Sequence, residues 1–261
     1  MKIHPTAIIG SEVILEEGVE VGPFTVIEGE VKIGRGTKIG ARVSIRGRTT
    51  VGEECRIFDG AVIGEEPQHL KYEGEESEVI IGNRVVIREF VTVHRGTKID
   101  RMKTVISDEC MLMAYCHVAH DCILGRGVIM ASYSGLSGHC DVGEYAFIGG
   151  LSGVHQWTRV GAYAMVGGAS GVTLDIPPFT MAAGSRAELY GINVKGLERR
   201  GFSKERIEKL KRAYKILFKE KILLKDAISK LEKHFEGDED INLIIDFINS
   251  SKRGIARDAR E

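Results

Sequence analysis

A six-residue hydrophobic period runs through most of the chain and restricts its possible folds more than any other feature. An amphipathic helix repeats about every 3.6 residues and a half-buried strand every second residue, so neither explains this period. The period instead predicts short strands joined by tight turns, stacked as the coils of a solenoid. The aliphatic series is Ile3, Ile9, Leu15, Val21, Ile27, Ile33, Ile39, Ile45, Val51, Ile57 and Ile63, then Ile81, Ile87 and Val93, and, after a shift of one residue, Ile106, Leu112, Val118, Leu124, Met130, Leu136, Val142, Ile148, Val154, Val160, Val166 and Val172.

A small or β-branched residue follows the aliphatic residue after four positions, as at Ala7, Val13 and Thr25. All five cysteines occupy this inward position, namely Cys55, Cys110, Cys116, Cys122 and Cys140. Their spacing fits no zinc signature. We therefore interpret the cysteines as buried apolar residues rather than as metal ligands or disulfide partners.

The period is interrupted twice before it ends. Residues 65–80 are polar and aperiodic, and the step from Ile99 to Ile106 carries one extra residue, which indicates a small insertion near 99–105. Insertions in solenoids form loops on one face, often the binding face. We assign residues 1–185 to a parallel β-helix that carries both loops.

Past Pro177 and Pro178 the pattern becomes helical, and we assign residues 186–261 to a C-terminal helical domain. The fold class is thus mainly β with a helical end. Three amphipathic helices are predicted: one that begins after the N-cap Ser203 and places Ile207, Leu210, Tyr214 and Leu217 on one face, one from Lys225 to Phe235, and one from Ile241 to Ile248.

Composition and charge exclude several classes of protein. Lys and Arg number 36 against 37 Asp and Glu, so bulk charge does not indicate a nucleic-acid binder. The N-terminus lacks an apolar signal core, and no run approaches the roughly 18 apolar residues needed to cross a bilayer. We predict a cytoplasmic protein without a transmembrane segment.

A column of polar residues recurs at 18-residue spacing, which places its members on neighbouring coils. Gly138 follows His120 in this way, His139 follows Asp121, and His155 and Gln156 come one coil later. An imidazole next to a carboxylate can act as a general base at neutral pH, and a glycine N–H can donate to an oxyanion. The column therefore indicates acyl transfer from a thioester to an alcohol or amine.

Other interpretations of this column remain open. Each polar residue alone is compatible with an ordinary exposed turn, and a noncatalytic solenoid scaffold would explain the repeat and the helices. Some hexapeptide-repeat proteins are carbonic anhydrases that bind zinc through histidines. Their pattern separates two ligands by four residues, whereas two residues separate His117 from His120, so we predict no metal.

Several motifs carry a resemblance to a known family. They are His117-Val-Ala-His120-Asp121-Cys122, Val93-His94-Arg95-Gly96-Thr97, Gly138-His139, Gly153-Val-His155-Gln156, Gly167-Gly168-Ala-Ser-Gly171-Val172, Asp175-Ile-Pro177-Pro178 and Asn193-Val-Lys-Gly196-Leu-Glu-Arg199-Arg200-Gly201-Phe202. These motifs resemble those of the hexapeptide-repeat acyltransferases and, among these, of the UDP-N-acetylglucosamine O-acyltransferases of lipid A biosynthesis. The resemblance covers essentially the whole chain. The resemblance implies a left-handed parallel β-helix with three hexads per coil and a homotrimer with sites between subunits. It also implies transfer of an (R)-3-hydroxyacyl chain from acyl carrier protein to the 3-position of UDP-N-acetylglucosamine, without a cofactor.

The same resemblance implies a role for each matching residue. His120 would deprotonate the sugar 3-hydroxyl with Asp121 as its partner, and the Gly138 N–H would hold the oxyanion. Gly168 would leave room for a longer acyl chain. Contacts to the sugar nucleotide or acyl donor would come from Gln68, Lys71, His94, His117, His139, His155 and Gln156, with Asn193, Arg199 and Arg200 near the uridine and phosphates. Possible contacts to acidic acyl carrier protein are Arg46, Arg48, Arg88, Arg95 and Arg159.

One position departs from the family pattern. The segment Gln68-His69-Leu70-Lys71-Tyr72 resembles a family segment with Asp in place of His69. Imidazole can donate a hydrogen bond where a carboxylate only accepts. A 3-amino sugar nucleotide is therefore an alternative acceptor. The sister N-acyltransferase of the same pathway and a small acetyltransferase that uses acetyl-CoA are further rivals.

Counting hexads back from Val118, with the step from Ile99 to Ile106 as one unit, places His94 on a different face from His120. On this count the two histidines meet only across a subunit boundary, which independently predicts a trimer.

Overall fold

Short parallel strands form most of the computed structural model, which describes residues 1–259. The strands are β1 (Lys2–Ile3), β2 (Ile8–Ile9), β3 (Ile14–Leu15), β4 (Glu20–Val21), β5 (Val26–Ile27), β6 (Val31–Ile33), β7 (Lys38–Ile39), β8 (Ser44–Ile45), β9 (Arg48–Val51), β10 (Arg56–Ile57), β11 (Val62–Glu65), β12 (Glu78–Ile81), β13 (Val86–Ile87), β14 (Thr92–His94), β15 (Lys103–Ile106), β16 (Met111–Leu112), β17 (His117–Val118), β18 (Ile123–Leu124), β19 (Ile129–Met130), β20 (Gly135–Leu136), β21 (Asp141–Val142), β22 (Phe147–Ile148), β23 (Gly153–Val154), β24 (Arg159–Val160), β25 (Met165–Val166), β26 (Gly171–Val172), β27 (Thr180–Ala183) and β28 (Glu188–Ile192).

These strands form three sheets, which are the faces of a prism. Face 1 runs from β1 through every third strand to β25 and ends with β27 and β28, face 2 runs from β2 to β26, and face 3 runs from β3 to β24. Strands one coil apart pair in parallel at an 18-residue offset, as in Ile9↔Ile27. Ile27, Ile45 and Ile63 of the period are fully buried. Because each such side chain contributes roughly 1.5–3 kcal/mol on burial, the stacked aliphatic columns hold the coils together.

The five cysteines lie in this core as predicted, buried and unpaired. The Cys110 thiol donates to the Gly125 carbonyl over 3.1 Å, and burial raises its pKa to about 12. A thiol in this state is a poor nucleophile, since reactivity depends on the thiolate.

Both insertions leave the prism at the edge between faces 2 and 3, which we call edge 2/3. The pairing Val62↔Thr92 spans 30 residues and Thr92↔His117 spans 25, instead of the usual 18. The second insertion covers residues 95–102 and adds seven residues rather than the single one that we predicted. The prediction was wrong because Ile99 does not belong to the core series: it lies in this loop and is 46% exposed.

This difference also overturns the hexad count for His94. Without Ile99 in the series, His94 and His117 fall on adjacent strands of face 2, β14 and β17, in one chain. His94 therefore reaches the neighbourhood of His120 without a partner subunit, and the face-counting argument for a trimer was wrong.

The C-terminal part contains four helices, α1 (Val194–Arg199), α2 (Lys204–Phe218), α3 (Leu224–His234) and α4 (Glu239–Asn249). Ser203 caps α2 as predicted, with its Oγ accepting from the Arg206 N–H. We missed α1, which at six residues is too short to show a helical period. β28 pairs antiparallel with β27 and extends face 1 to Ile192, beyond residue 185. The domain boundary at residue 185 remains a prediction. None of the helices that the structure describes is both long and apolar enough to cross a membrane.

Candidate active site

Tight turns at edge 2/3 present the candidate residues. Asp121, His139 and Trp157 occupy the same turn position in three successive coils, each with a left-handed φ of 59°, 65° and 64°. A non-glycine residue costs roughly 1–2 kcal/mol in this conformation. The stacked coils hold this left-handed conformation at all three turns, so the three side chains lie in one column.

His120 and Asp121 form a buried dyad. His120 Nδ1 lies 2.9 Å from Asp121 Oδ2, and the His120 and Asp121 side chains are 8% and 0% exposed. The carboxylate also accepts from the Thr97 N–H at 3.0 Å and from the Thr97 Oγ–H at 2.6 Å. Burial alone would raise the pKa of Asp121, but the hydrogen bonds from His120 and Thr97 outweigh it and lower this pKa. Asp121 is therefore an anion that orients His120.

His139 lies one coil above this dyad and has two aromatic neighbours. Its ring meets the His120 ring edge-on, with centroids 4.8 Å apart, and stacks on Trp157 at 3.8 Å with an angle of 7°. Its Nδ1 lies 3.1 Å from Asp100 Oδ2. Burial lowers the pKa of His139, partly opposed by the hydrogen bond to Asp100. The ring is thus favoured in its neutral form.

His94 and His117 extend the imidazole cluster along face 2. Their ring centroids are 5.3 Å apart. His117 Nδ1 contacts Thr92 Oγ1 at 2.7 Å, and His94 Nδ1 contacts the Glu66 carbonyl at 2.6 Å. Burial, with the neighbouring His94 and His120, lowers the pKa of His117 to about 4. His117 is therefore neutral at physiological pH.

Gly138 packs directly against the His120 ring. A Cβ at this position would lie 2.3 Å from His120 Cε1 and 2.6 Å from Nε2, so a side chain would collide with the ring. At a few equivalent turn positions the backbone N–H donates to a side chain of the next coil, as from Ala41 to Asp59 at 2.8 Å. The Gly138 N–H has no such acceptor within residues 1–259, so it remains a donor beside the base.

The first insertion covers the dyad. The ring of His69 meets that of His120 edge-on at 5.0 Å, and His69 Nδ1 accepts from the Lys71 N–H at 3.2 Å. The Gln68 and Lys71 side chains are exposed in the same loop. The loop is held against the second insertion by the hydrogen bond from Arg95 Nη2 to Tyr72 Oη at 2.9 Å. The two insertions therefore form one wall of the site.

Comparisons with known proteins agree over nearly the whole chain. A family model described as UDP N-acetylglucosamine O-acyltransferase, domain 2, matches residues 175–256, and one for bacterial transferase hexapeptide repeats matches residues 30–65 and 103–138. The acyl-(acyl-carrier-protein)–UDP-N-acetylglucosamine O-acyltransferase of Aquifex aeolicus is 63% identical over 257 residues, 98% of each chain. That of Thermodesulfovibrio yellowstonii is 51% identical over 98% of this chain and 99% of its own. The chain belongs to this O-acyltransferase family.

Solved structures of the family have the same fold as this O-acyltransferase. The UDP-N-acetylglucosamine O-acyltransferase of Moraxella catarrhalis is 39% identical, with a TM-score of 0.94 over 98% of this chain and 100% of that one. The UDP-N-acetylglucosamine acyltransferase of Francisella novicida is 34% identical, with a TM-score of 0.96 over 98% and 94%. Together with the hexapeptide repeats, they confirm the predicted left-handed parallel β-helix with a helical C-terminal part.

A second group of predicted residues lies away from the His120 dyad in this O-acyltransferase. Asn193, Arg199 and Arg200 line a cavity of about 650 Å³ against the outer surface of face 1, and Arg200 lies 4.3 Å from the Tyr145 ring. The Asn193 amide caps α1 and donates to the Tyr163 carbonyl at 2.9 Å, which gives this residue a structural task. A single chain therefore does not bring this group to His120.

Three more predicted residues are solvent-exposed. Gly168 follows β25 at the edge between faces 1 and 2. His155 and Gln156 stay at edge 2/3, one coil above Gly138, and His155 Nδ1 contacts the Gln156 carbonyl at 3.1 Å. They border the site without touching the dyad.

Four residues of the site had no role predicted from the sequence: Thr97, Asp100, Arg101 and Trp157. Thr97, Asp100 and Arg101 all belong to the second insertion, where no periodicity guides an assignment. Trp157 carried a usable signal, because it is the only tryptophan and follows His139 by 18 residues.

A metal is the main chemical alternative for this cluster. Ligand atoms of His120, Asp121 and His139 all lie within 4.8 Å of one another. In the structure, however, His120 is hydrogen-bonded to Asp121 and His139 to Asp100. Both bonds use Nδ1, so each Nε2 keeps a lone pair that can take a proton or bind a metal, and the absence of a metal remains a prediction.

Proposed function

We propose that this protein transfers a 3-hydroxyacyl chain from acyl carrier protein to the 3-hydroxyl of UDP-N-acetylglucosamine, in the first step of lipid A biosynthesis. The observation that carries the proposal is the buried His120–Asp121 dyad beside the Gly138 N–H. The names of the relatives support the proposal, and these relatives align with this chain over 98% or more of their own length.

His120 acts as the general base in this proposal. Its Nδ1–H donates to Asp121, so the lone pair on Nε2 is available to the sugar 3-hydroxyl. The Asp121 charge stabilises the imidazolium that forms. Proton transfer by such a positioned group contributes roughly 10²- to 10⁴-fold.

The deprotonated sugar oxygen attacks the thioester carbonyl carbon. The Gly138 N–H, which has no acceptor among residues 1–259, donates to the resulting oxyanion. Collapse of the tetrahedral intermediate breaks the carbon–sulfur bond, and the leaving thiolate takes the proton from the His120 imidazolium. No covalent acyl-enzyme is required, and the buried cysteines stay outside the reaction.

We propose a homotrimer with sites between subunits. An exposed aromatic column at the edge between faces 1 and 2 supports this: Phe90, Tyr115 and Tyr133 stack at 5.1 and 4.9 Å and are 51%, 47% and 58% exposed. Such an apolar column is typical of a surface covered by a partner. A second copy would bring its Arg199 or Arg200 towards the dyad, because one chain keeps them apart. A monomer by light scattering with full activity would contradict the trimer.

Acyl carrier protein is the proposed donor, and side-chain burial favours some of the candidate arginines as its contacts over others. Arg95 and Arg159 are only 17% and 23% exposed and bind Tyr72 and Asp175, so they serve the fold. The remaining candidates are Arg46, Arg48 and Arg88, which are 44%, 48% and 39% exposed and lie in surface ion pairs. These arginines can exchange their present glutamate partners for acidic residues of acyl carrier protein at little cost in free energy. A cytoplasmic location remains a prediction.

Gly168 supports a long acyl chain. It is exposed, and a Cβ there would lie 3.3 Å from the Gly150 carbonyl oxygen. Glycine therefore leaves space that any side chain would fill, and we propose preference for a longer 3-hydroxyacyl chain.

A 3-amino sugar nucleotide is the second candidate acceptor, and His69 favours it. The bond from the Lys71 N–H to His69 Nδ1 leaves the proton of neutral His69 on Nε2, so the ring donates with that nitrogen. The His69 ring contacts that of His120. An aspartate in this place would stabilise the ammonium form of the sugar amine, which has no lone pair with which to attack, whereas a neutral imidazole does not.

Product mass distinguishes these proposals. The protein is incubated with 3-hydroxyacyl carrier proteins of several lengths and equal amounts of UDP-N-acetylglucosamine and its 3-amino analogue, alongside His120→Ala and the exposed control His4→Ala. We expect a 3-O-acyl product that falls about 10³-fold or more in His120→Ala only. Selective acylation of the amino sugar would establish the second acceptor, and equal activity of His120→Ala and wild type would refute the proposed mechanism.

A further inference from the structure

His139 is a second buried imidazole with a carboxylate of its own. Its side chain is 3% exposed, and its Nδ1 lies 3.1 Å from Asp100 Oδ2 but 3.7 Å from Asp121 Oδ2. Only the contact to Asp100 has hydrogen-bond length. Edge 2/3 therefore carries two histidine–carboxylate pairs on neighbouring coils.

Asp121 has little capacity left for His139. It already accepts from His120 Nδ1, from the Thr97 N–H and Oγ–H, and from the Arg101 N–H at 3.3 Å. A carboxylate offers about four lone-pair sites, so these bonds occupy it. The second imidazole depends on the second carboxylate.

Stacking alone cannot orient the His139 ring. The Trp157 indole at 3.8 Å fixes the plane of the imidazole. A half-turn about the Cβ–Cγ bond keeps that plane but exchanges ring nitrogens with ring carbons. Only a directional partner at Nδ1 distinguishes the two orientations, and Asp100 is that partner.

The loop that carries Asp100 is anchored from two sides. The Arg101 guanidinium contacts Asp100 at 3.1 Å and also binds Asp141 on β21. The Arg101 N–H donates to Asp121. Asp100 is thus presented by an ordered segment, and its side chain is 24% exposed.

We infer that Asp100 is a positioning residue for His139: it holds the proton on Nδ1, so that Nε2 accepts a hydrogen bond from a hydroxyl of the acceptor sugar. The sugar in this statement rests on the proposed function, whereas the tautomer does not. The charged and titratable groups that face His139 are Asp100 and Arg101 from the loop and His120 and Asp121 from the coil below. The neighbour above, Trp157, is uncharged.

The test reads the tautomer directly. Nitrogen NMR on the full-length protein labelled at histidine nitrogens is compared for wild type, Asp100→Asn, Asp100→Ala and Asp100→Glu. The matched control is Asp141→Asn, which removes the other partner of Arg101 but leaves Asp100 in place. Circular dichroism verifies folding of each variant.

We expect neutral His139 to carry its proton on Nδ1 in wild type and in Asp141→Asn. In Asp100→Ala the proton should redistribute to Nε2, and the His139 pKa should fall, because Asp100 raises it. For UDP-N-acetylglucosamine, kcat/KM should drop about 10- to 100-fold in Asp100→Ala and less than about threefold in Asp141→Asn, with partial rescue in Asp100→Glu.

An unchanged tautomer in Asp100→Ala, or an equal loss in Asp141→Asn, would overturn the inference. The tautomer is measured without substrate, so a failure of the proposed acyl transfer leaves this test valid.

Discussion

Two edges of the prism share one turn geometry, but the turns carry surface ion pairs at one edge and a buried dyad at the other. At the edge between faces 3 and 1, Arg84, Glu109 and Arg126 form a surface ladder, with Glu109 at 2.8 Å from Arg84 and 2.7 Å from Arg126. At edge 2/3, Asp121 occupies the equivalent left-handed position and binds His120 and Thr97. The coils are alike, but only edge 2/3 carries the two insertions.

The insertions decide what the polar residues can do. The ladder holds the pKa of Glu109 at about 2, yet that carboxylate has water on one side and is screened. Asp121 is fully buried, and residues 95–102 supply most of its hydrogen bonds. A surface ion pair can therefore be lost with little effect, whereas the buried Asp121 carboxylate fixes the orientation of the His120 ring.

The largest expected effect tests whether the packing at edge 2/3 controls the reaction. Gly138→Ala places a Cβ 2.3 Å from His120 Cε1, which displaces the ring or the N–H beside it. We expect kcat to fall about 10²- to 10³-fold, the loss typical of a removed oxyanion donor. Acyl-transfer kinetics measure this loss. The control is Gly10→Ala, whose Cβ would make ordinary contacts at 3.4 Å; a similar loss there would show that the effect is not local.

A medium effect is expected from burial of the imidazole cluster. Folded His117 has a pKa of about 4, against about 6.5 in the unfolded chain. Below pH 6.5 the unfolded chain binds a proton that the folded chain does not, so the free energy of unfolding falls as the pH drops towards 4. His117→Gln should reduce that loss between pH 7 and 4.5 by on the order of 1–2 kcal/mol.

Urea unfolding at both pH values measures the His117 effect, with the exposed His4→Gln as control. An identical loss of stability in His117→Gln and wild type would show that burial of this ring does not govern the acid response.

The smallest effect is expected at the ladder. Arg84→Gln removes one partner of Glu109, but Arg126 remains and all three side chains reach solvent. We expect no measurable change in Tm or in acyl-transfer rate. Thermal unfolding and kinetics verify this, and a clear drop in either would remove the proposed distinction between the two edges.

The regular part of the fold was predictable because its signal is repetitive. One aliphatic residue in six, with a small residue four positions later, determines which side chains enter the core, and the cysteines followed from the same phase. Eighteen-residue spacing likewise placed Gly138 against His120, because stacked coils pair in register.

The insertions and the short α1 were not predictable in the same way. Ile99 kept the rhythm of the period although it lies in a loop, and this misplaced His94. Residues in a loop acquire their partners from the coils beneath them, so the bonds of Thr97 and Asp100 have no local signature.

The sequence by itself thus determined the coil, its core and the column that holds His120, Asp121 and His139, since a period encodes which residues face inward or lie at a turn. Only the tertiary structure decided which carboxylate serves His139, because Asp100 reaches this ring across 39 residues through a loop without a repeat. Hydrogen-bond partners depend on distances of a few tenths of an ångström, and the hydrophobic period does not specify them.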